Sequence, residues 1–484
     1  MEKYGWRKGS KMKKKRHVWA AACLLAALLA GCGANQKDVA VKQPKMITVW
    51  TYYNGAQKES FDALVQQFNE TEGAEQNIVV VTASKGTIGE LSRAVSDSVD
   101  KKVGSDPLPQ ICAAYADNAF EINERGLLVD LNEYMTAEEM ATFVDAYLEE
   151  GRFEAEDTLK LFPTAKSTEV LTVNMTDWEK FASETGASLD DLSTWEGLAG
   201  VSEEYYEWSG GKAFFGRDAF ANYILVGSYQ LGHEIFRLED GKMVLDFDKD
   251  TMRRLWDNYY VPYVKGYYTA SGKFRSDDLK TGNLIAFAGS NSGATYTPDT
   301  VTYEDGTSYK IACRILPLPN FEGTRPAAVQ QGAGMMVLKS DQNLEAASVA
   351  FLKWFAEEEQ NLEFSVRSGY LPVKKSANTR EALQRVIDEN QIEVSDIMLE
   401  SFHVGIEEVQ TYDLYTPKAF ADGSSARGIL NSGMSDLAKE DRAAVESMID
   451  GGMEYDEALS GFLTDERFEQ WYEDTYRKLK ALGE

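Results

Sequence analysis

The chain has 484 residues, of which 43% are hydrophobic and 11% aromatic; that composition excludes an intrinsically disordered protein and sets two cores as the default. Its 78 Asp and Glu outweigh 50 Lys and Arg for a net charge of −28, a surface that repels phosphate backbones and excludes nucleic-acid binding.

Positive charge is concentrated at the start. Residues 1–31 hold eight of the 50 Lys and Arg and one of the 78 Asp and Glu, so the remainder carries 42 basic and 77 acidic side chains. After the basic cluster at 7–16 comes an apolar run at 18–29, too short to span a membrane comfortably and ending in small residues, as a secretory signal does. Met12, just ahead of Lys13-Lys14-Lys15-Arg16, is as good a start as Met1. No second run of eighteen apolar residues follows, so the body is expected to be soluble.

Residues 32–45 read as a polar linker, and the chain then alternates. Ile47-Thr48-Val49-Trp50 predicts a strand, and Phe61, Leu64, Val65 and Phe68 place an amphipathic helix over 57–70. Ile78-Val79-Val80-Val81 lacks any polar interruption, as expected of a strand in a sheet covered on both faces. A helix over 88–102, a strand over 110–115 and a helix stopping at Gly126 complete a β-α-β-α-β series, which implies a parallel sheet with its ligand site at the carboxyl ends of the strands. Further strands are expected at 169–174, 242–247, 284–289, 309–315 and 334–338, and helices at 175–186, 219–231 and 248–264. Leu316-Pro317-Leu318-Pro319 reads as an extended crossing. Beyond Ser376 helices are expected at 381–390, 425–439, 441–449 and 464–482.

Catalytic and metal-binding motifs are wanting. His233 and His403 are isolated, Gly289-Ser290-Asn291-Ser292-Gly293 has Asn where a nucleophile elbow has Ser, and no phosphate-cradling or zinc-protease motif occurs. Asp246, Asp248 and Asp250 alternate like calcium ligands but lack the required glycine, and they read as helix caps. Cys112 and Cys313 sit in apolar strand-like runs and read as buried thiols. No cofactor, no metal and no catalytic residue is expected.

Several motifs, taken together in order and spacing, resemble a known family. Cys32 directly after Leu29-Ala30-Gly31 resembles the lipobox of bacterial lipoproteins. Then come Ile47-Thr48-Val49-Trp50, the helix ending Phe68-Asn69, and Gly126-Leu127-Leu128-Val129-Asp130-Leu131. Gly332-Ala333-Gly334-Met335-Met336-Val337, Phe351-Leu352-Lys353-Trp354-Phe355 and Ser368-Gly369-Tyr370-Leu371-Pro372-Val373 follow. This order resembles the extracellular solute-binding proteins of ABC importers, of the class that takes sugars. The resemblance implies a lipid-anchored monomer on the outer face of the cell membrane, with Cys32 lipidated and ABC permease subunits as partners. It implies an α/β fold of two lobes, each a mainly parallel sheet flanked by helices, joined by hinge strands, with a helical C-terminal region. Lobe 1 would comprise 46–163 and 317–372, lobe 2 164–316 and 373–484, with crossings near 163–166, 314–319 and 370–376. The chain departs from the family in having Asn174-Met175 where Asn-Lys is common, and Ser193-Thr194-Trp195 without the usual proline.

A neutral sugar presents hydroxyls and a flat C–H face, so its receptor needs aromatic platforms and side chains that both donate and accept hydrogen bonds. The candidates at strand ends are Tyr52, Tyr53 and Asn54 after the first strand, Lys85 after the second, and Tyr115 and Asp117 after the third. The other lobe would contribute Lys166, Glu169, Tyr223, Ser290, Asn291, Tyr296 and Gln331. Tyr53→Ala or Tyr115→Ala is expected to weaken ligand binding and leave folding intact. Phosphate is the chemical rival, as in glycerol phosphate or another polyol phosphate, with Gly86-Thr87 at a helix start and Lys85 or Arg427 supplying charge. Two other classes stay open: a secreted carbohydrate-active enzyme and a sensory or peptide-binding lipoprotein.

Overall fold

The computed structural model of the chain describes residues 43–153, 158–239 and 242–482; the leader, Cys32 and most of the linker lie outside the described residues. In chain order the strands are β1 (Lys45–Thr51), β2 (Ile78–Ser84), β3 (Ile111–Ala114), β4 (Glu169–Asn174), β5 (Phe215–Arg217), β6 (Phe236–Glu239) and β7 (Lys242–Leu245). They continue with β8 (Ala286–Ser290), β9 (Thr300–Thr302), β10 (Ser308–Lys310), β11 (Cys313–Pro317), β12 (Ala327–Val329), β13 (Gly334–Val337) and β14 (Asp413–Tyr415).

The first sheet has the order β13-β3-β1-β2. β1 pairs in parallel with both β2 and β3, while β13 runs antiparallel against β3. The helix Gly55–Glu70 makes the first crossover and buries Phe61, Leu64, Val65 and Phe68, the positions its spacing marks. The helix Ile88–Val99 makes the second and opens on a capping box, with Thr87 accepting from the Glu90 backbone and the Glu90 side chain accepting in return.

The second sheet, β11-β4-β8-β5, corrects the expectation of a mainly parallel lobe. β4 lies antiparallel to both β8 and β11, and only β5 and β8 are parallel. A parallel neighbour needs a long crossover; here β11 returns from β8 through the small β9–β10 hairpin and lands beside β4 in the opposite sense. The strand expected at 309–315 is therefore two strands, β10 and β11. The helices expected at 425–439 and 441–449 are one helix, Gly423–Asp450. Asp441 does not break it, because that carboxylate is buried and accepts from Arg467 Nε at 2.9 Å and Nη2 at 2.6 Å, and from the Tyr260 hydroxyl.

Two large apolar cores follow from the two sheets. One gathers Ile47, Val49, Phe61, Phe68, Val80, Ile111, Phe162 and Ala165 with Ala333, Val337, Phe351, Phe355 and Val373. The other gathers Leu171, Val173, Trp195, Phe215, Tyr223, Trp256, Ala286, Leu318, Val329, Leu430 and Trp471. Leu318 and Phe321 pack in the second core and Ala333 in the first, so the chain changes core between Val329 and Ala333 rather than at Leu316-Pro317-Leu318-Pro319. A third, smaller cluster of Leu362, Leu371, Leu383, Phe402 and Ile406 stands beside the crossing.

The crossing segments are tied to one another. Ser167 and Gln331 exchange two backbone hydrogen bonds of 2.9 Å, and Lys166 and Leu371 exchange two more. Gly332 adopts φ 101°, and a Cβ there would lie 2.8 Å from the Ala165 carbonyl oxygen, so only glycine fits this approach. Asp248 caps the helix Lys249–Lys265 by accepting from the Thr251 backbone at 2.8 Å. Cys112 and Cys313 are free thiols, the first buried in β3 and the second half-buried at the start of β11. Among the described residues no helix is long and apolar enough to cross a membrane.

Candidate functional site

A cavity of about 240 Å³ opens between the two cores. From the first side, the loop after β3 supplies Tyr115, Asp117 and Asn118 at the start of the helix Ala116–Glu124, and Glu150 follows the helix Asp145–Glu149. From the second side come Asn222 and Leu225 of the helix Phe220–Gln230, together with Phe236 of β6. The end of β12 adds Gln330 and Gln331, and residues 416–427 add Thr416, Pro417, Phe420, Ser424 and Arg427. The ligand space thus lies beside the hinge, with carboxyl-end loops on one side and helix starts on the other.

Two buried charge networks hold its walls. Lys166 is wholly buried and donates Nζ to the Glu150 carboxylate and to the Gly332 carbonyl at 2.8 Å. Gln330 Nε2 donates to the same Glu150 oxygen at 2.8 Å, so one carboxylate in the cavity wall is shared by both crossing segments. On the other side Glu169 accepts from Arg217 Nη2 and from Asn222 Nδ2, each at 2.7 Å. Asn222 Nδ2 also reaches Gln331 Oε1 at 3.2 Å, and its Oδ1 accepts from Arg427. Both donors and the acceptor of Asn222 are therefore spent within the protein, which fixes Arg427 and Gln331 in place.

Other groups around the cavity are unspent. Gln330 Oε1 is buried and has no hydrogen-bond partner among the described residues. Arg427 makes no ion pair among the described residues. Burial lifts the Asp117 carboxyl to about 6; the Arg427 guanidinium draws it down, and Glu150 and Glu121 push it further up. Burial likewise raises the Tyr115 hydroxyl above its ordinary value.

Of the residues expected at the site, Tyr115, Asp117 and Gln331 line this cavity. Lys166 and Glu169 stand behind it as the buried partners of Glu150 and Asn222. Tyr52 meets Tyr370 through their hydroxyls at 3.2 Å, outside the cavity lining. Asn54 Nδ2 donates to the Tyr52 and Gly86 carbonyls at 2.8 and 3.0 Å, which is turn chemistry. Lys85 pairs with Asp106 at 2.7 Å and sits 3.9 Å over the Trp50 ring. Asn291 bonds the Thr168 backbone at 3.0 Å and the Gly369 carbonyl at 3.1 Å, while Ser290 faces Ser292 at 2.9 Å. Tyr296 is 74% exposed and stands apart from the cavity.

Tyr53 and Tyr223 are core side chains. Tyr53 is 1% exposed and packs against Phe61 and Phe364 at 5.3 and 5.4 Å, and Tyr223 donates to the Leu255 carbonyl at 2.8 Å. Tyr53→Ala is therefore expected to lower stability by about 3–5 kcal/mol, read by chemical denaturation. Tyr115→Ala, at a 42% exposed position, is expected to leave the unfolding midpoint in place.

Sequence reading passed over Glu150 and Asn222. Nothing marks Glu150 among so many acids. Asn222 carries a signal, being a lone amide in the apolar run Phe220-Ala221-Asn222-Tyr223-Ile224-Leu225-Val226.

Two lobes, a hinge between them and a polar cavity at that hinge define a binding protein that holds a small molecule between its halves. The chain belongs to the family of bacterial extracellular solute-binding proteins, whose family model matches residues 63–388. No curated protein sequence matches it. Among solved structures it is similar to the cyclic alpha-maltosyl-1,6-maltose binding protein of Arthrobacter globiformis, with 16% identity, 91% of this chain and 99% of that one covered, and a TM-score of 0.67. It is also similar to UgpB of Mycobacterium tuberculosis, solved with glycerophosphocholine, at 17% identity, 90% and 98% coverage and a TM-score of 0.66. A third is the maltotriose binding protein of Thermus thermophilus, at 16% identity, 90% and 99% coverage and a TM-score of 0.58.

Proposed function

We propose that the chain is the substrate receptor of an ABC importer, capturing a mono- or oligosaccharide between its lobes and handing it to a membrane permease. The observation that carries this reading is the set of unspent hydrogen-bonding groups around one cavity. Asp117 can accept, Arg427 can donate, and the 42% exposed Tyr115 offers a flat ring face. A polyhydroxylated ring satisfies all of them together. Contacts from both lobes favour the closed state by differential affinity, which is how occupancy would be signalled to the permease. The oligosaccharide binders among the similar structures support this choice. Cys32 would tether a monomer to the outer face of the membrane.

A polyol phosphate is the second reading, favoured by one observation. Arg427 lines the cavity near Asp117 and forms no ion pair among the described residues, and a glycerophosphocholine complex is among the similar structures.

Thermal unfolding against monosaccharides, oligosaccharides, glycerol phosphates and short peptides tests the reading. A ligand bound only by the folded state adds about 2.7 kcal/mol at a hundredfold excess over its Kd. A shift with one sugar family is the expected result; a shift only with glycerol phosphate would replace the ligand and keep the receptor. A shift only with peptides would overturn the carbohydrate reading.

A further inference from the structure

We propose that Glu408 locks the hinge as a neutral carboxylic acid, and that its ionisation loosens the crossing segments behind the ligand cavity. The inference is independent of which solute the cavity takes.

Position is the first argument. Glu408 lies in the helix Asp396–Thr411, which packs against β4, β11, β14 and the turn Asn291–Tyr296. The same helix places Phe402 and Ile406 in the cluster of Leu371, whose backbone pairs with that of Lys166. Glu408 is wholly buried; its Oε2 accepts from the Thr168 hydroxyl at 2.7 Å and its Oε1 from the Leu318 backbone at 3.2 Å. Thr168 stands between Ser167, which pairs with Gln331, and Glu169, which holds Asn222 and through it Arg427. One carboxyl group thus ties the helix to the crossing segment that supports the cavity wall.

Charge is the second argument. Glu408 forms no ion pair among the described residues, and the charges around it are committed elsewhere. β4 brings Glu169, which belongs to Arg217, and β11 brings Cys313 and Arg314, the latter 3.5 Å from Glu400. β14 brings Asp413 and Tyr415, and the turn brings the exposed Tyr296. The helix itself adds His403 and Glu407, the second 3.5 Å from Arg380, with Tyr412 at its end, and Tyr147 of the first lobe feels the Glu408 charge. Burial raises the Glu408 carboxyl to about 8; the bonds from Thr168 and Leu318 draw it down, and Glu169 and Glu407 push it further up. Two donors are too few to replace water around a buried carboxylate. A neutral acid fits both partners, with Oε2–H donating back to the Thr168 oxygen while Oε1 accepts from Leu318. Ionised, the group draws water, which parts the helix from Thr168.

Glu408→Gln copies the neutral acid, its amide donating to Thr168 and its oxygen accepting from Leu318. Linkage gives the sign. The folded carboxyl lies above its unfolded value of about 4.5, so the stabilisation it brings is full below that value and lost as pH rises to about 8. In urea denaturation from about pH 5 to about pH 9, the folding constant of the variant relative to the parent is expected to rise by up to about tenfold per pH unit and to level off above about pH 8. A ratio independent of pH would overturn the neutral acid. Infrared absorption of the unaltered protein asks the same without a variant. A protonated-carboxyl band present at about pH 7 and gone at about pH 9 is expected, and its absence at about pH 7 would overturn the proposal. Amide hydrogen exchange reads the hinge itself. Corrected for its intrinsic pH dependence, exchange at Ser167 and Gln331 between about pH 6 and pH 8 should quicken about tenfold more in the parent than in Glu408→Gln. Equal quickening in both would leave a buried acid that does not act on the hinge, and would overturn the lock.

Discussion

Lys166→Met is expected to lower the unfolding free energy by about 3–5 kcal/mol. Lys166 is 0% exposed, and its ammonium is the positive partner of Glu150, which is itself 7% exposed. Methionine keeps much of the volume but leaves the Glu150 carboxylate buried with only the Gln330 amide to solvate it. Such an uncompensated charge is far more costly than the net worth of the pair. Adding Glu150→Gln in the same molecule should therefore recover most of the loss. Urea denaturation of the single and double variants checks both statements. A single-variant loss below about 1 kcal/mol, the scale of an exposed pair, would contradict the buried role.

Asp117→Asn is expected to weaken ligand binding by about 1.5–3 kcal/mol, or roughly ten- to a hundredfold, while abolishing its pH dependence. In the free protein burial raises this carboxyl to about 6, and in the proposed complex ligand hydroxyls would donate to its ionised form. The sign follows from linkage: affinity is full above that value and falls as pH drops through it, by about tenfold near pH 5. Stability moves the other way. A carboxyl raised on folding opposes folding when ionised, so the protein gains stability as pH falls from about 6 toward the ordinary carboxylate range. The Asn variant should therefore fold at least as well as the parent. Titrations at several pH values decide the matter: an unchanged profile in the variant would remove Asp117 from the site.

The strands of the first lobe were legible because each is an apolar run between turn residues. β1 and β3 lie inside their sheet and β13 seals one edge; β3 and β13 read as continuous apolar stretches, and β1 is interrupted within its apolar run only by Thr48. The second sheet was less legible, because short strands such as β5 and β9 carry too few residues for any period to show. At the site, position along a strand could be read but side-chain direction could not. Tyr52, Tyr53 and Asn54 all follow β1, yet Tyr53 turns into an aromatic core and Asn54 is consumed by its own turn. Tyr115 and Asp117 succeed where those fail because they begin a helix whose start faces the cavity. Glu150 escaped notice for a different reason. Its role exists only through Lys166 and Gln330, sixteen and 180 positions away, and no local pattern encodes such a pairing.

The first core is discontinuous: it is laid down up to Ala165 and completed only by residues from Ala333 onward, Ala419 among them. During synthesis its last strand, β13, emerges after the whole intervening segment. At about 5–20 residues per second that delay is on the order of ten seconds or more. Until β13 emerges, the edge of β3 that it covers in the folded protein lacks its native partner. The amino-terminal half is thus held in an open, unfinished state by the order of the polypeptide itself, and becomes a closed lobe only when the return strand arrives.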